Sequence, residues 1–536
     1  MLPAGCLGPR RTDYDKTPTP HQPSRSHASS QPPMTPVTRI AAVDLGSNSF
    51  RLEIGRIEHG EFRRTEYLKE TVRQGGGLDA DRNLTPAAMH AGWECLARFG
   101  ERLAGFQAHE VRAVATQTLR EARNREDFLV RANECLGFPI DVISGREEAR
   151  LIYQGVSQLL PAVDERRLVI DIGGRSTELI LGHGRTPQTM ESFRVGSIAW
   201  SRRFFPDGQF TRKAFHVAEI AAMAVLDEAL DAYHPDHWDK AYGSAGTVGA
   251  IGDVLVAAGW PAGVITQESL DWLMDKLIGA QSAERLRIAG MREDRKAIIG
   301  GGVSVMRAVF RLLGIGQMEK AEGGLRHGLI CDVMGIANHD GDLRFASVNR
   351  LALKFGVDTV HGERVGRVAS LLFRQLVSST RQVRDAERDA IALNKLQWAA
   401  QLHEIGSHIS HSDYHKHGAY ILDNADAMGF SISEMHRLSL LVLGHRGKLR
   451  KLEGLLDDTE LASQLMALRL AVILCHARRE PDMEGIVLAR ADKRGAVLRL
   501  TCREGWADGY PQSAHLLREE VLAWEKTPWV FEVQGL

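Results

Sequence analysis

The first apolar run of the chain, Ile40-Ala41-Ala42-Val43, ends at Asp44 and a string of small residues, Gly46-Ser47-Asn48-Ser49. A short continuous run bounded by turn formers reads as a strand buried on both faces. The pattern returns at Leu168-Val169-Ile170, which ends at Asp171-Ile172-Gly173-Gly174-Arg175-Ser176-Thr177-Glu178. Around the first run the periodicity predicts strands at 39–44, 49–57, 62–69, 110–115 and 139–143, with helices at 86–104 and 124–136. Around the second it predicts strands at 167–171, 176–182, 188–195 and 239–243, with helices at 211–231, 246–258, 268–278 and 292–313. From about residue 345 to 480 amphipathic helical stretches dominate. Gly485-Ile486-Val487-Leu488, Ala496 to Leu500 and Trp529 to Val533 then predict a small closing α/β cap. The expected domains are therefore 38–152, 153–340, 345–480 and 481–536, two successive α/β sets followed by a helical region and the cap.

Composition changes this picture at one end only. The first 37 residues hold eight prolines among Ser, Thr, Gln and His and lack the apolar core of a signal peptide, so a disordered extension is expected there, with Met34 as an alternative start. The 536 residues carry 67 Lys plus Arg against 68 Asp plus Glu, a net charge of −1. That balance argues against bulk attraction to nucleic acid or membrane. Six scattered cysteines without a C-x-x-C pair predict neither a disulfide framework nor a cysteine zinc site. No apolar run approaches the roughly 18 residues of a spanning helix. The expected setting is the cytoplasm.

The candidate chemistry sits in the two acidic loops. Each delivers a carboxylate to a turn whose small residues expose backbone N–H groups and hydroxyls, which suits phosphate oxygens and a divalent cation. A lone Asp-x-Gly turn is ordinary turn chemistry; two predict half-domains facing each other across a phosphate. Between them, Ser144 and Glu147 fit a capping box, which leaves Glu148 as either a first-turn carboxylate favoured by the helix dipole or a catalytic one. Arg120, after Ala113-Val114-Ala115-Thr116, is either a fork for phosphate oxygens or a helix-surface cation. Gly243 to Thr247 and Gly300 to Gly302 mark either close approach to an anion or close packing.

These motifs, in this order, resemble the exopolyphosphatase/guanosine pentaphosphate phosphatase family, of the superfamily of actin, hexokinase and the heat-shock ATPases. The carriers are Asp44-Leu45-Gly46-Ser47-Asn48-Ser49, Ala115-Thr116 with Leu119-Arg120, Ser144-Gly145-Arg146-Glu147-Glu148-Ala149-Arg150-Leu151 and Asp171 to Glu178. The resemblance implies two ribonuclease-H-like α/β domains, then a mostly helical HD-like domain and the cap. It implies Glu148 as the base that deprotonates water, and Arg120 as a catalytic-site residue on the terminal phosphate. Asp44, Asp171 and Glu178 would hold or orient Mg²⁺, with K⁺ a candidate activator. Gly46, Ser47, Asn48, Gly173, Gly174, Arg175 and Ser176 would bind the terminal phosphate, and a homodimer is expected. Arg175 departs from the family, which has glycine there: either the turn is strained or the side chain supplies a further cation for a polyanion.

In the helical region His361 and Leu402-His403-Glu404 resemble elements of HD-type metal phosphohydrolases. Glu404 replaces the aspartate, and Leu470 to Arg478 lacks another, so a binding role is expected instead of a two-metal site. His403, His408, His411, His415 and His417 crowd one stretch without H-E-x-x-H spacing. In His445 to Lys451, Arg446 and Lys448 are candidate wall residues of a channel for a long anion, the alternative being a solvated basic face. The leading expectation is an exopolyphosphatase that cleaves terminal phosphate from inorganic polyphosphate. The alternative is hydrolysis of pppGpp at the same site, with an acceptor-dependent kinase or a non-catalytic alarmone sensor behind it.

Overall fold

The computed structural model describes residues 39–58, 61–335, 343–379, 386–492 and 496–536. The extension expected over 1–37 lies outside them. Strands β1 (Arg39–Leu45), β2 (Phe50–Glu58), β3 (Glu61–Glu70), β4 (Val111–Ala115) and β5 (Ile140–Val142) form a sheet in the order β3-β2-β1-β4-β5. β1 is antiparallel to β2 and parallel to β4. Its residues after Arg39 are all buried, as an apolar run covered on both faces must be. β3 is half-exposed and charged, which suits an edge strand.

A second sheet contains β6 (Arg166–Ile172), β7 (Thr177–His183), β8 (Thr186–Phe193), β9 (Lys240–Ser244), β10 (Val264–Thr266) and β11 (Gln317–Lys320), in the order β10-β11-β9-β6-β7-β8. From β8 to β11 it repeats the first sheet: an antiparallel trio, then two strands parallel to its first member. β10 adds an antiparallel edge. Both acidic loops therefore occupy the same topological place, the turn from the first strand of a sheet into its antiparallel neighbour.

Helix Gly145–Ser157 starts after β5 yet packs on β7 and β8 and against helix Leu325–Val333. The expected division at 152/153 falls inside this helix. The expected helix over 292–313 is broken, with Glu293–Lys296 ending before Ile299–Leu312 begins. Helix Ser197–Phe204 and strands β10 and β11 are additions to the expected elements.

The helical region, Leu343–Lys354 through Thr459–Leu474, and the closing strands β12 (Val487–Arg490), β13 (Val497–Thr501) and β14 (Val530–Gln534) share one continuous core from Val348 to Phe531. Cys95, Cys135, Cys331, Cys475 and Cys502 are free thiols. No helix among the described residues is long and apolar enough to cross a membrane.

Candidate active site

Hairpin registry builds the first wall. The turn Gly46–Ser49 closes β1 onto β2, so Asp44 faces Arg51 across the pair, and Arg51 Nη1 lies 3.3 Å from Asp44 Oδ2. In the second sheet the same registry sets Asp171 opposite Glu178, with Ser244 of β9 on its other side. The loops meet directly. A Cβ at Gly174 would lie 3.1 Å from Ser47 Cβ and 2.8 Å from Ile198 Cδ1, so only glycine lets them approach this closely.

The loop carbonyls are bonded from behind. Ser47 O accepts from Gly75 N–H, Asn48 O from Arg73, Gly173 O from Ser197, and Gly174 O from Ile198 and Ala199. Carbonyl dipoles that would repel an anion are thus committed to the protein. Ser47 Oγ accepts from Thr118 Oγ1 at 2.8 Å.

Between the loops lies a cavity of about 310 Å³ walled by Asp44, Gly46, Ser47, Asn48, Glu148, Asp171, Gly173, Gly174 and Ser176. The turn Ser244 to Thr247 joins the wall, with Ala245 held at φ 71°, a strained value for a residue with a side chain. The Gly300 to Gly302 segment instead packs its helix closely against helix Ser197–Phe204, where Gly301 N–H donates to Ser201 Oγ at 3.0 Å.

Four acids converge here, and their charges oppose one another. Burial, then Glu148 and Asp44, push Asp171 up to about 7, while Ser244 and Arg51 pull it down. Burial raises Glu148 above the ordinary carboxylate range, with Arg120 opposing and Asp44 adding to the rise. Burial, then Glu148 and Asp171, raise Glu178 well above it. Arg120 Nη1 donates to Glu148 Oε2 at 2.7 Å and to Ile143 O at 3.0 Å. Arg120 and Glu178 lie behind the wall, Glu178 accepting from Ser192 Oγ at 2.8 Å.

Glu147 makes half of the expected capping box. Its N–H donates to Ser144 Oγ at 3.2 Å, but its carboxylate is taken by Arg150 and by Gly429 N–H at 2.8 Å. Arg175 answers neither of its two expectations. It does not adopt a positive φ, and it is absent from the cavity wall. Its Nε lies 3.1 Å from Glu121 Oε2, its Nη2 bonds the same oxygen, and its Nη1 donates to Gly75 O at 3.0 Å.

Arg446 and Lys448 line a separate groove of about 660 Å³, walled also by His445, Arg450 and Lys526, that shares no residue with the cavity. Among the described residues, His361, His403 and Glu404 form the one group whose metal-ligating atoms all lie within 4.8 Å of one another. Two guanidinium groups already stand against it, Arg478 Nη2 at 2.7 Å from Glu404 Oε1 and Arg364 Nη1 at 3.3 Å from His361 Nδ1.

The Ppx/GppA phosphatase family model matches residues 54–336, and the model of Ppx/GppA phosphatase domain III matches 343–523. The chain belongs to the Ppx/GppA phosphatase family. It is a hydrolase. The guanosine-5'-triphosphate,3'-diphosphate pyrophosphatase of Aeromonas hydrophila is 36% identical over 493 residues, 91% of this chain and 97% of that protein. Its namesake from Vibrio cholerae is 36% identical over 462 residues, 86% of this chain and 91% of that one. The crystal structure of an exopolyphosphatase from Cytophaga hutchinsonii superposes with TM-score 0.51 at 25% identity, over 55% of this chain and 98% of that one. The α/β halves have the actin-like fold of these phosphatases.

Within this Ppx/GppA member, sequence reasoning missed the cations of the cavity wall: Arg51, Arg295, Lys320 and Arg326. Both Arg51 and Arg295 stand on the wall, and their Nε atoms are buried without a hydrogen-bond partner, a costly state for a guanidinium. Burial and then Arg292, Arg295 and Arg51 push the nearby Lys69 amine down to about 8, a sign of crowded positive charge. Arg51 had a signal in the sequence, since a hairpin closed at Gly46–Ser49 brings it opposite Asp44. Arg295 had none.

Proposed function

We propose that this phosphatase hydrolyses pppGpp, removing the terminal phosphate of its 5′ chain to leave ppGpp and orthophosphate. The observation that carries this reading is likeness to guanosine-5'-triphosphate,3'-diphosphate pyrophosphatases over 91% of the chain, helical region included. It replaces polyphosphate, the substrate first expected, which becomes the second reading. The site supports a compact substrate. A groove of about 1120 Å³ adjoins the cavity through Asn48 and Ile298 and offers Ala88, Ala91, Ile198 and Phe205, walls that suit a nucleoside better than a bare phosphate chain. The basic residues expected along a polyphosphate path stand in a different groove.

In this reading the terminal phosphate sits between the loops, its charge met by Arg51 and Arg295 and by loop N–H groups. Glu148 accepts a proton from a water in line with the anhydride; the new P–O bond forms as the bond to the neighbouring phosphate breaks. Burial suits Glu148 to the work by raising its proton affinity above that of an exposed carboxylate, against the pull of Arg120. The donor set also fits Mg²⁺, a hard cation commonly held by one or two carboxylates, waters and substrate phosphates. Asp44 and Asp171 on the wall would hold it, and Glu178 behind them would orient Asp171. Bound there, Mg²⁺ would neutralise phosphate charge. Phosphate release from pppGpp and from long polyphosphate, measured side by side, tests the reading. A higher kcat/KM on pppGpp is expected; the reverse order would overturn it.

A further inference from the structure

Arg175 brings a long charged side chain into the second glycine-rich loop. Its contacts form a connected path. Arg175 bonds Glu121 Oε2 through Nε and Nη2. Gln117 Nε2 donates to the other oxygen, Glu121 Oε1, at 2.5 Å. Gln117 Oε1 then accepts from Arg120 twice, from Nε at 3.0 Å and from Nη2 at 2.6 Å. That leaves Arg120 Nη1 for Ile143 O and Glu148 Oε2.

Each link orients the next. An amide is polar at both ends, and Glu121 fixes which end of Gln117 points where: its NH₂ to the carboxylate, its oxygen to Arg120. With Nε and Nη2 engaged, the planar guanidinium of Arg120 has one rotational setting, and Nη1 is aimed at the base. Arg175 also reaches toward the first loop. Gly75, whose carbonyl it bonds, donates its N–H to Ser47 O at 2.8 Å. One side chain of the second loop is thereby tied to the first loop and to the carboxylate of Glu148. The path is protected: side chains of Arg175, Glu121, Arg120 and Glu148 are all less than one-fifth exposed.

We propose that Arg175, Glu121 and Gln117 are positioning residues that hold the Arg120–Glu148 pair in its working geometry, coupling the second phosphate loop to the base. This rests on the reading of Glu148 as the base. Without Arg175, the Glu121 carboxylate loses its charge partner, Gln117 is free to turn its amide, and Arg120 loses the acceptor that orients it. Misplacement of a reacting group by about 1 Å costs on the order of a hundredfold in rate, while the phosphate contacts that set affinity stay in place.

The test measures kcat, KM and Tm on pppGpp for full-length Arg175→Gly, Arg175→Lys, Glu121→Gln, Gln117→Leu and the double variant Arg175→Gly/Gln117→Leu, with Glu148→Gln alongside. Arg175→Gly and Gln117→Leu are each expected to lower kcat about tenfold to a hundredfold with KM within about threefold. The double variant is expected to be no worse than the weaker single, because both cut one path. Arg175→Lys, which keeps a cation beside Glu121, recovers part of the loss. Glu121→Gln, nearly isosteric, tests the same link if Arg175→Gly folds poorly. Unchanged kcat, multiplicative losses in the double variant, or a rise in KM alone would overturn the inference. Full activity in Glu148→Gln would instead overturn the base assignment itself.

Discussion

Arg120 Nη1 stands 2.7 Å from Glu148 Oε2, and this contact is the strongest pull toward the ionised form that the buried Glu148 receives. Glu148→Gln is expected to lower kcat by about 10²–10⁴-fold, the usual contribution of a positioned base, with KM little changed. Phosphate release from pppGpp measures it.

The same contact sets a pH dependence. A base works deprotonated, so the rate falls as pH drops through the pKa of Glu148, which burial raises and Arg120 lowers. Replacing Arg120 with leucine removes the lowering influence. The acid limb of kcat against pH is therefore expected to move to higher pH. A limb that stays in place would show that Arg120 does not tune the base.

Arg295 has a buried Nε without a partner on the cavity wall. Arg295→Ala is expected to raise KM for pppGpp about tenfold to a hundredfold, corresponding to the roughly 1.5–3 kcal/mol of a hydrogen bond to a charged group. A change in kcat alone, read from saturation curves, would place the residue elsewhere in the reaction.

Asp171 burdens the metal-free protein above neutrality. Its pKa is raised to about 7 on folding, so between the unfolded carboxylate range and about 7 the folded state binds the extra proton, and stability falls as pH rises through that window. Asp171→Asn removes the charge. In a chelator, the variant is expected to exceed wild type in stability by on the order of 2–4 kcal/mol above pH 7, the gap closing toward pH 5. Calorimetry across pH reads this; a gap independent of pH would refute it.

His403 works in the opposite sense. Burial pushes it down to about 4, and its Nδ1 bonds Ala400 O at 2.6 Å. The unfolded chain takes up the proton first, so stability present above about 6.5 drains away as pH falls toward 4. His403→Asn, which keeps an N–H for that carbonyl, is expected to lose less on acidification, by up to about 3 kcal/mol. Denaturant titrations at pH 7 and pH 4.5 would show it.

The strands and loops that build the cavity were legible because each is local. An apolar run, an aspartate and small residues fall within ten positions, and hairpin geometry does the rest. β10 and β11 were not, since three or four residues with Gln, Glu and Lys among them carry no periodicity. Arg295 was invisible because nothing in Arg292 to Lys296 tells a solvated charge cluster from a cavity wall. Arg175 stood out as a charged residue in the second loop, but its partner Glu121 lies far off in sequence, and only the facing of the two loops brings them together. Arg446 and Lys448 show the converse. A basic stretch announces charge without announcing which groove receives it.

The shared core of the helical region and the closing strands bears on how the protein is made. Leu488, Trp524 and Phe531 are as much a part of that core as Leu372 or Leu468. The helices are synthesised before β14, so part of their apolar seam stays uncovered until that strand emerges. A chain that ends early, even after the last long helix of the bundle, would leave a sticky product with both phosphate loops already in place. The closing strand, remote from the chemistry, completes the packing of the helices that precede it.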